Sequence, residues 1–303
     1  MAQVPKFKLN NGTEIPAVGT GSWNGTTKEE NDKAQPWVFT ALQAGFRHID
    51  TALGYGTEPA VSRAIKQAGL AREEVWITTK LPWEHHGKEA ESIDISLKNL
   101  DTDYVDLWLM HWPQSVITNG MSPIIICVVK TNDHPFTKTW AAMEDIHLNT
   151  KKTKAIGVSN FSVKNLEVLL KEAKIVPAVN QVELHPYLIQ EDLLQYCKEK
   201  GITLTAYTPT GYATVREDPF IGKLATKYGV KPAQIILAWH LARGVVVVPA
   251  SHNPEHQKQN ITLPTLDAED VKAISGLDQN RRLCNKPDEN GTVYGWTMEQ
   301  MGW

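Results

Sequence analysis

Residues 46–68 read FRHIDTALGYGTEPAVSRAIKQA: a short extended run closed by Asp50, a glycine-flanked turn carrying Tyr55, and an amphipathic stretch of helical spacing. The same grammar recurs along the chain. AVGTG at 17–21 precedes a helical segment near 28–44, VWITTK at 75–80 one near 88–99, and YVDLWLMH at 104–111 a long loop and a helix near 137–148. KAIGVS at 154–159 leads to a helix near 162–172 and AVNQVE at 178–183 to one near 190–200. ITLTAYT at 202–208 is followed by segments near 218–228 and 232–242, and VVVVPAS at 245–251 by a helix opening at Asn253, Pro254 and Glu255. Strands alternating with helices pair in parallel, and eight such units predict a closed (β/α)8 barrel, a TIM barrel of the α/β class. A doubly wound open sheet would carry a G-x-G-x-x-G turn after its first strand. Gly19 and Gly21 are present, but Asn24 stands where the third glycine belongs. Ahead of the first unit, FKLNNGTEIP at 7–16 places Asn11-Gly12 between two short runs, a hairpin signal expected to plug the barrel floor.

The 303 residues are 42% hydrophobic and 21% charged, enough apolar material for one large core, so residues 1–303 are expected to form a single barrel domain. A formal charge of −3 opposes a nucleic-acid partner. Cys127, Cys197 and Cys284 match neither a disulfide framework nor a metal knuckle and fit a reducing compartment. The polar start MAQVPKFKLNNG lacks a signal-peptide core, and IIICVV and GVVVVPA are too short to span a bilayer. The expectation is a cytoplasmic protein, monomer or homodimer, that handles a small molecule and is no membrane component.

In such barrels chemistry sits where strands end and the following loops begin. Those ends supply Asp50 and Tyr55, Lys80, and His111. Singly, each has a plain reading: a turn former, a packed aromatic, a solvated strand end, a structural histidine. Together on neighbouring strands they make chemical sense. A phenol titrates near 10, too high for an efficient acid at neutral pH. An ammonium about 4 Å away is worth roughly 4 kcal/mol at an effective dielectric of 20, on the order of three pKa units. Lys80 would thereby turn Tyr55 into a proton donor, Asp50 would hold Lys80, and His111 would hydrogen-bond a carbonyl oxygen. No activated Ser or Cys accompanies the set. The four residues suit protonation of a carbonyl oxygen while a hydride attacks the carbon.

The motifs GFRHIDTALGY, TTKL, YVDLWLMHWP, IGVSNF, PAVNQVELHPYL and AYTPTG resemble those of the aldo-keto reductase family over nearly the whole length. The resemblance, which is to fungal-type aldehyde and carbonyl reductases, implies a (β/α)8 barrel that binds an extended nicotinamide cofactor and reduces aldehydes or ketones. Its catalytic tetrad falls on Asp50, Tyr55, Lys80 and His111. It further implies that Ser159, Asn160 and Gln181 hold the nicotinamide carboxamide, that Tyr207 stacks on the ring, and that Thr208, Thr210 and Gly211 meet the pyrophosphate, where the family usually reads Ser and Leu. YATVREDPF, which follows, is short for the family's clamp loop.

The main departure lies in VPASHNPEHQKQN. The family pattern carries a Lys and an Arg that hold the 2′-phosphate of NADPH; here Ala250 and His256 stand in those places. A neutral imidazole is a poor substitute for a guanidinium fork. Ser251, His252, His256 and Asn260 remain as adenosine contacts beside a helix N-terminus suited to phosphate. The expected cofactor is NADP(H), with NAD(H) use opened by the two replacements unless a residue such as Lys258 compensates. Trp23, Trp83 and Trp112 fall just past strand ends, and Cys284 and Trp296 lie in the tail 272–303, the family's substrate-specificity segment. These five are the candidate substrate contacts. The apolar run PIIICVVK within the loop 113–136 is expected either to fold over the pocket or to form a contact patch. His85, His86, His134 and His240 show no metal-ligand spacing, so no metal is assigned. A second function stays open: a weakly active, cofactor-binding redox sensor or structural protein of the same fold. The natural substrate, among sugars, polyols, ketolactones and aromatic aldehydes, is not fixed.

Overall fold

The computed structural model describes residues 4–118, 128–132 and 134–303. Fourteen strands are described: β1 (Lys6–Lys8), β2 (Glu14–Pro16), β3 (Thr20–Gly21), β4 (His48–Asp50), β5 (Trp76–Leu81), β6 (Leu107–Met110), β7 (Ser115–Thr118), β8 (Val128–Asn132), β9 (Ile156–Ser159), β10 (Val179–Glu183), β11 (Thr203–Tyr207), β12 (Val246–Val247), β13 (Thr292–Val293) and β14 (Trp296–Thr297). Eight of them form one sheet in the order β12-β11-β10-β9-β6-β5-β4-β3, with parallel pairing throughout. A parallel bridge between Val18 and Val247, with Gly19 N–H to Val247 O at 2.8 Å and Val247 N–H to Ala17 O at 2.9 Å, closes the sheet into a barrel.

The expected hairpin is β1 with β2, Phe7 opposite Ile15. Gly12 takes the left-handed backbone the turn needs, at φ +85°. The hairpin buries Leu9 and Ile15 against Leu107, Leu109, Val179 and Val246. Its turn is tied to the barrel floor by Asn10 Nδ2 to Pro177 O at 3.1 Å and Asn11 Nδ2 to Lys154 O at 3.1 Å. The opposite end is left for the strand-end side chains.

Register sets those ends level. Gly21 pairs with Asp50, Asp50 with Thr78, Lys80 with Leu109, Met110 with Val158, Ser159 with Gln181, and Glu183 with Tyr207. Helices cover the outside, their apolar stripes joined to the outward faces of the strands in one continuous core. The segment expected as a long loop at 113–136 differs: β7 and β8 form an antiparallel hairpin, Val116 opposite Thr131. The β-branched residues on both arms favour extended backbone. The apolar run 123–129 lies mostly outside the described residues.

Inside the barrel, His48 is fully enclosed and satisfied as a neutral ring. Nδ1 lies 3.1 Å from Pro16 O and Nε2 3.1 Å from Thr78 Oγ1, which in turn accepts from Trp76 Nε1 at 3.1 Å. A methyl group on Gly19 would stand 2.7 Å from the His48 ring, so only glycine fits there. Burial pushes the His48 imidazole down to about 4, and burial also brings His86 and His240 down to about 3. Folded-state values below the ordinary 6.5 mean that the unfolded chain takes up protons first as pH falls. Stability is therefore full above about pH 6.5 and declines toward pH 4, by roughly 3 kcal/mol for His48 alone. Melting curves from pH 7 down to pH 5 should show a progressive fall in Tm; a flat Tm across that window would contradict it.

Candidate active site

Asp50 closes β4, and Lys80 lies near the end of β5 with its side chain wholly buried. Lys80 Nζ donates to Asp50 Oδ1 at 2.6 Å and Thr51 O at 2.9 Å, and reaches Tyr55 Oη at 3.4 Å. The other Asp50 oxygen accepts from Gln181 Nε2 at 2.7 Å. Tyr55 ends a one-turn 3-10 helix, Leu53–Tyr55, stopped by Gly56 at φ +69°. That left-handed glycine turns the chain so that the phenol reaches back over the strand ends. The His111 ring meets the Tyr55 ring edge-on, with centroids 5.5 Å apart.

Electrostatics follows burial first. Desolvation raises the Tyr55 phenol above its ordinary value; the Lys80 ammonium pulls it down but does not win. The net depression expected from a Lys–Tyr pair is thus corrected, because the sequence showed the charge and not the depth. Burial opposes the charge on Lys80, yet Asp50 and Tyr55 together leave its ammonium more firmly protonated than a free lysine. His111 is driven well below the usual imidazole range by burial and by Lys80, so it is neutral at pH 7.

Beside this group lies a second set. Ser159 Oγ donates to Gln181 O at 2.8 Å, and Asn160, in left-handed backbone at φ +65°, donates from Nδ2 to His111 O at 2.9 Å and Ser159 Oγ at 3.1 Å. Tyr207 donates to Asn160 Oδ1 at 2.7 Å. Thr208, Thr210 and Gly211 turn the chain into the short helix Tyr212–Arg216, with Thr208 at φ +49° and Gly211 at +60°. A Cβ on Gly211 would collide with Val215. Thr210 Oγ1 accepts from Arg216 Nη1 at 3.2 Å.

At the far end, Asn253 caps the helix Pro254–Ile261 by accepting from Glu255 N at 2.9 Å. Ser251 Oγ accepts from Asn253 N at 3.2 Å, and His252 stacks on Trp37 at 4.9 Å. Ala250, His256 and Lys258 are exposed, while Asn260 is buried. The candidate substrate residues divide. Trp112 is buried and Trp83 partly so, their centroids 5.9 Å apart, and Trp296 packs at the edge of the same cluster. Trp23 is exposed and is no member of that buried cluster. Cys284 is half-buried at the base of the tail.

The aldo/keto reductase family model matches residues 17–279. The chain belongs to the aldo/keto reductase family. As a member it is an NAD(P)H-dependent oxidoreductase. It is 42% identical over 292 residues to a glycerol 2-dehydrogenase (NADP(+)) of Saccharomyces cerevisiae, covering 91% of each chain. It is likewise 42% identical over 288 residues to an aldehyde reductase of the same yeast, covering 90% of each. Among solved structures, an aldo-keto reductase of Bombyx mori in complex with NADP matches with TM-score 0.86 at 32% identity, over 99% of this chain and all of that one.

The aldo/keto reductase also brings to this site residues that sequence reading passed over. Glu183, buried at the end of β10, accepts from the backbone N–H groups of Leu283 at 2.6 Å and Cys284 at 2.8 Å. Gln257 ties Ser251 O at 2.7 Å to Trp37 O at 2.8 Å. Tyr294 packs against both Trp83, tilted at 4.6 Å, and Trp112, edge-on at 4.9 Å. Glu183 carried the signal that marked Asp50, an acid closing a strand. The tail residues carried none. Among the described residues no His, Cys, Asp and Glu cluster could hold a metal, and no helix is long and apolar enough to cross a membrane.

Proposed function

We propose that this aldo/keto reductase reduces aldehydes or ketones with Tyr55 as the proton donor, acting as one barrel unit whose tail 272–303 shapes the substrate mouth. The observation that carries the reading is Lys80 Nζ, buried between Asp50 at 2.6 Å and Tyr55 Oη at 3.4 Å. A bound nicotinamide supplies the hydride. Ser159, Asn160 and Gln181 offer hydroxyl and amide groups of the kind that match its carboxamide, and Tyr207 a flat ring beside them. As negative charge develops on the carbonyl oxygen, Tyr55 gives it a proton and Lys80 steadies the phenolate left behind. An alkoxide is a far stronger base than a phenolate, so a phenol held above its ordinary value still gives up its proton to one. Neutral His111 donates a hydrogen bond to the same oxygen. Asp50 keeps Lys80 charged and in place. Cys284, Trp83, Trp112 and Trp296 border the substrate, and Trp23 joins them from the exposed rim.

The cofactor is NADP(H), in keeping with the relatives, with reduced discrimination against NAD(H). Thr208, Thr210 and Gly211 face the pyrophosphate and Ser251, His252, His256 and Asn260 the adenosine end. No cation stands at Ala250 or His256 to grip a 2′-phosphate. Steady-state assays on a panel of aldehydes and ketones should give kcat/KM values with NADPH and NADH within about an order of magnitude of each other. The double variant Ala250→Lys with His256→Arg should raise the NADPH preference about tenfold to a hundredfold, the worth of one or two charge-assisted phosphate contacts. A strong NADPH preference in the parent chain would place phosphate recognition on another residue, and no turnover with either cofactor would defeat the reading.

A further inference from the structure

Four side chains form an unbroken hydrogen-bonded line from the substrate mouth to the strand ends. Tyr294 Oη donates to Asn285 Oδ1 at 2.8 Å, Asn285 Nδ2 donates to Tyr207 Oη at 2.8 Å, and Tyr207 Oη donates to Asn160 Oδ1 at 2.7 Å. Tyr207 Oη accepts from Asn285 with a lone pair and donates its one proton to Asn160, so each donor meets an acceptor and the line is self-consistent. Burial holds Tyr207 well above the usual phenol range and brings Tyr294 up to about 12, so both stay protonated donors.

Topology gives the line its meaning. Tyr207 ends β11 and Asn160 follows β9, while β10 lies between them in the sheet. A phenol that reaches from one to the other crosses the C-terminal half of β10, which runs from Gln181 to Glu183. This is the place assigned above to the nicotinamide ring, and the inference rests on that assignment. The tail end of the line is bent: Asn285 at φ +49° and Tyr294 at φ +50° both occupy left-handed backbone. Asparagine takes that region readily and an aromatic residue seldom does. Contacts therefore hold the tail in a conformation its backbone does not favour.

We propose that Asn285 is a latch: it holds the Tyr207 phenol across the cofactor-ring site, so the C-terminal tail and the nicotinamide compete for Tyr207, and cofactor binding loosens the tail at Asn285 and Tyr294. Asn285 is a positioning residue that acts through Tyr207. A latched site lowers apparent affinity by the fraction of molecules that are open, so breaking the latch tightens cofactor binding. A residue that merely supported the fold would weaken it.

The test is titration of the full-length protein with NADPH, followed by tryptophan fluorescence, which Trp83 and Trp112 beside Tyr294 make sensitive to tail movement. Asn285→Gly removes the amide and keeps a residue content with positive φ. Tyr294→Phe removes one hydroxyl and keeps the ring packing, and serves should the glycine variant fail to fold. The expected result is an NADPH Kd about fivefold lower in Asn285→Gly, the worth of one neutral hydrogen bond, and a smaller fall in the same direction in Tyr294→Phe. Unchanged or weaker binding in the folded variants overturns the latch alone. Absence of NADPH binding by the parent protein overturns the proposed function and the latch with it.

Discussion

Tyr55→Phe should lower kcat by a factor of about 10² to 10⁴ while leaving NADPH affinity and melting temperature close to those of the parent. The change deletes one hydroxyl and keeps the ring against His111, whose centroid lies 5.5 Å away. The hydroxyl contributes little to stability: its contact with Lys80 is long at 3.4 Å, whereas Lys80 keeps stronger bonds to Asp50 at 2.6 Å and Thr51 O at 2.9 Å. Lys80→Met should cost a similar factor in kcat but behave differently in the melt. It leaves the buried Asp50 carboxylate with Gln181 as its remaining side-chain partner, a loss of about 3 kcal/mol or a Tm fall on the order of 5 °C. The pair of variants thus separates chemistry from structure. Full activity in Tyr55→Phe would sink the mechanism.

The pH profile carries the same logic. Tyr55 must be protonated to act, and burial moves its titration up. The rate of reduction should stay level from about pH 6 to about pH 9 and fall only in the alkaline limb. His111, neutral throughout, adds no break near 6.5.

Asp50, Lys80 and His111 were legible in the sequence because apolar runs fix where parallel strands stop, and a polar residue at such a stop meets the site. Tyr55 was legible through its glycine-flanked turn. The barrel itself followed from eight repeats of one grammar, although its first and last strands are shorter than the runs AVGTG and VVVVPAS suggest. Those two meet at the seam, where closure rests on the single bridge Val18–Val247 and a few backbone bonds. The hairpin of β7 and β8 was missed although Asn119-Gly120 follows β7 directly, because the nine residues 119–127 part its arms where a hairpin turn usually takes about two to five. Least legible was the tail. Its anchors lie far off in sequence, Gln114 Nε2 to Val293 O at 3.1 Å across 179 positions for one, and no local periodicity announces such contacts. Burial depth, which decides the sign of the Tyr55 shift, is likewise a tertiary quantity.

Glu183→Ala should release that tail and destabilise the protein at once. One carboxylate oxygen accepts from Leu283 N, Cys284 N and, at 3.1 Å, His185 Nε2; the other lies 3.7 Å from Arg282 Nη1. Arg282 is itself stacked on the Trp303 ring at 3.4 Å, and Trp303 stands 6.2 Å from Trp112 in the mouth. Truncation leaves two backbone donors and a nearly buried guanidinium without their acceptor, a cost of about 3 to 5 kcal/mol and a Tm lower by roughly 5 to 10 °C. The functional cost is argued from where the tail begins. Cys284 and Asn285 follow directly on the anchored amides, so freeing them disperses Tyr294 and Trp303 from Trp83 and Trp112. KM for carbonyl substrates should therefore rise about tenfold or more while Tyr55, Lys80 and Asp50 keep their contacts and kcat falls much less. Glu183→Gln, which keeps an acceptor oxygen for the two amides, should lie between the parent and the alanine variant in both Tm and KM. An alanine variant with parental Tm and KM would show that the tail is held by its aromatic packing rather than by the buried carboxylate.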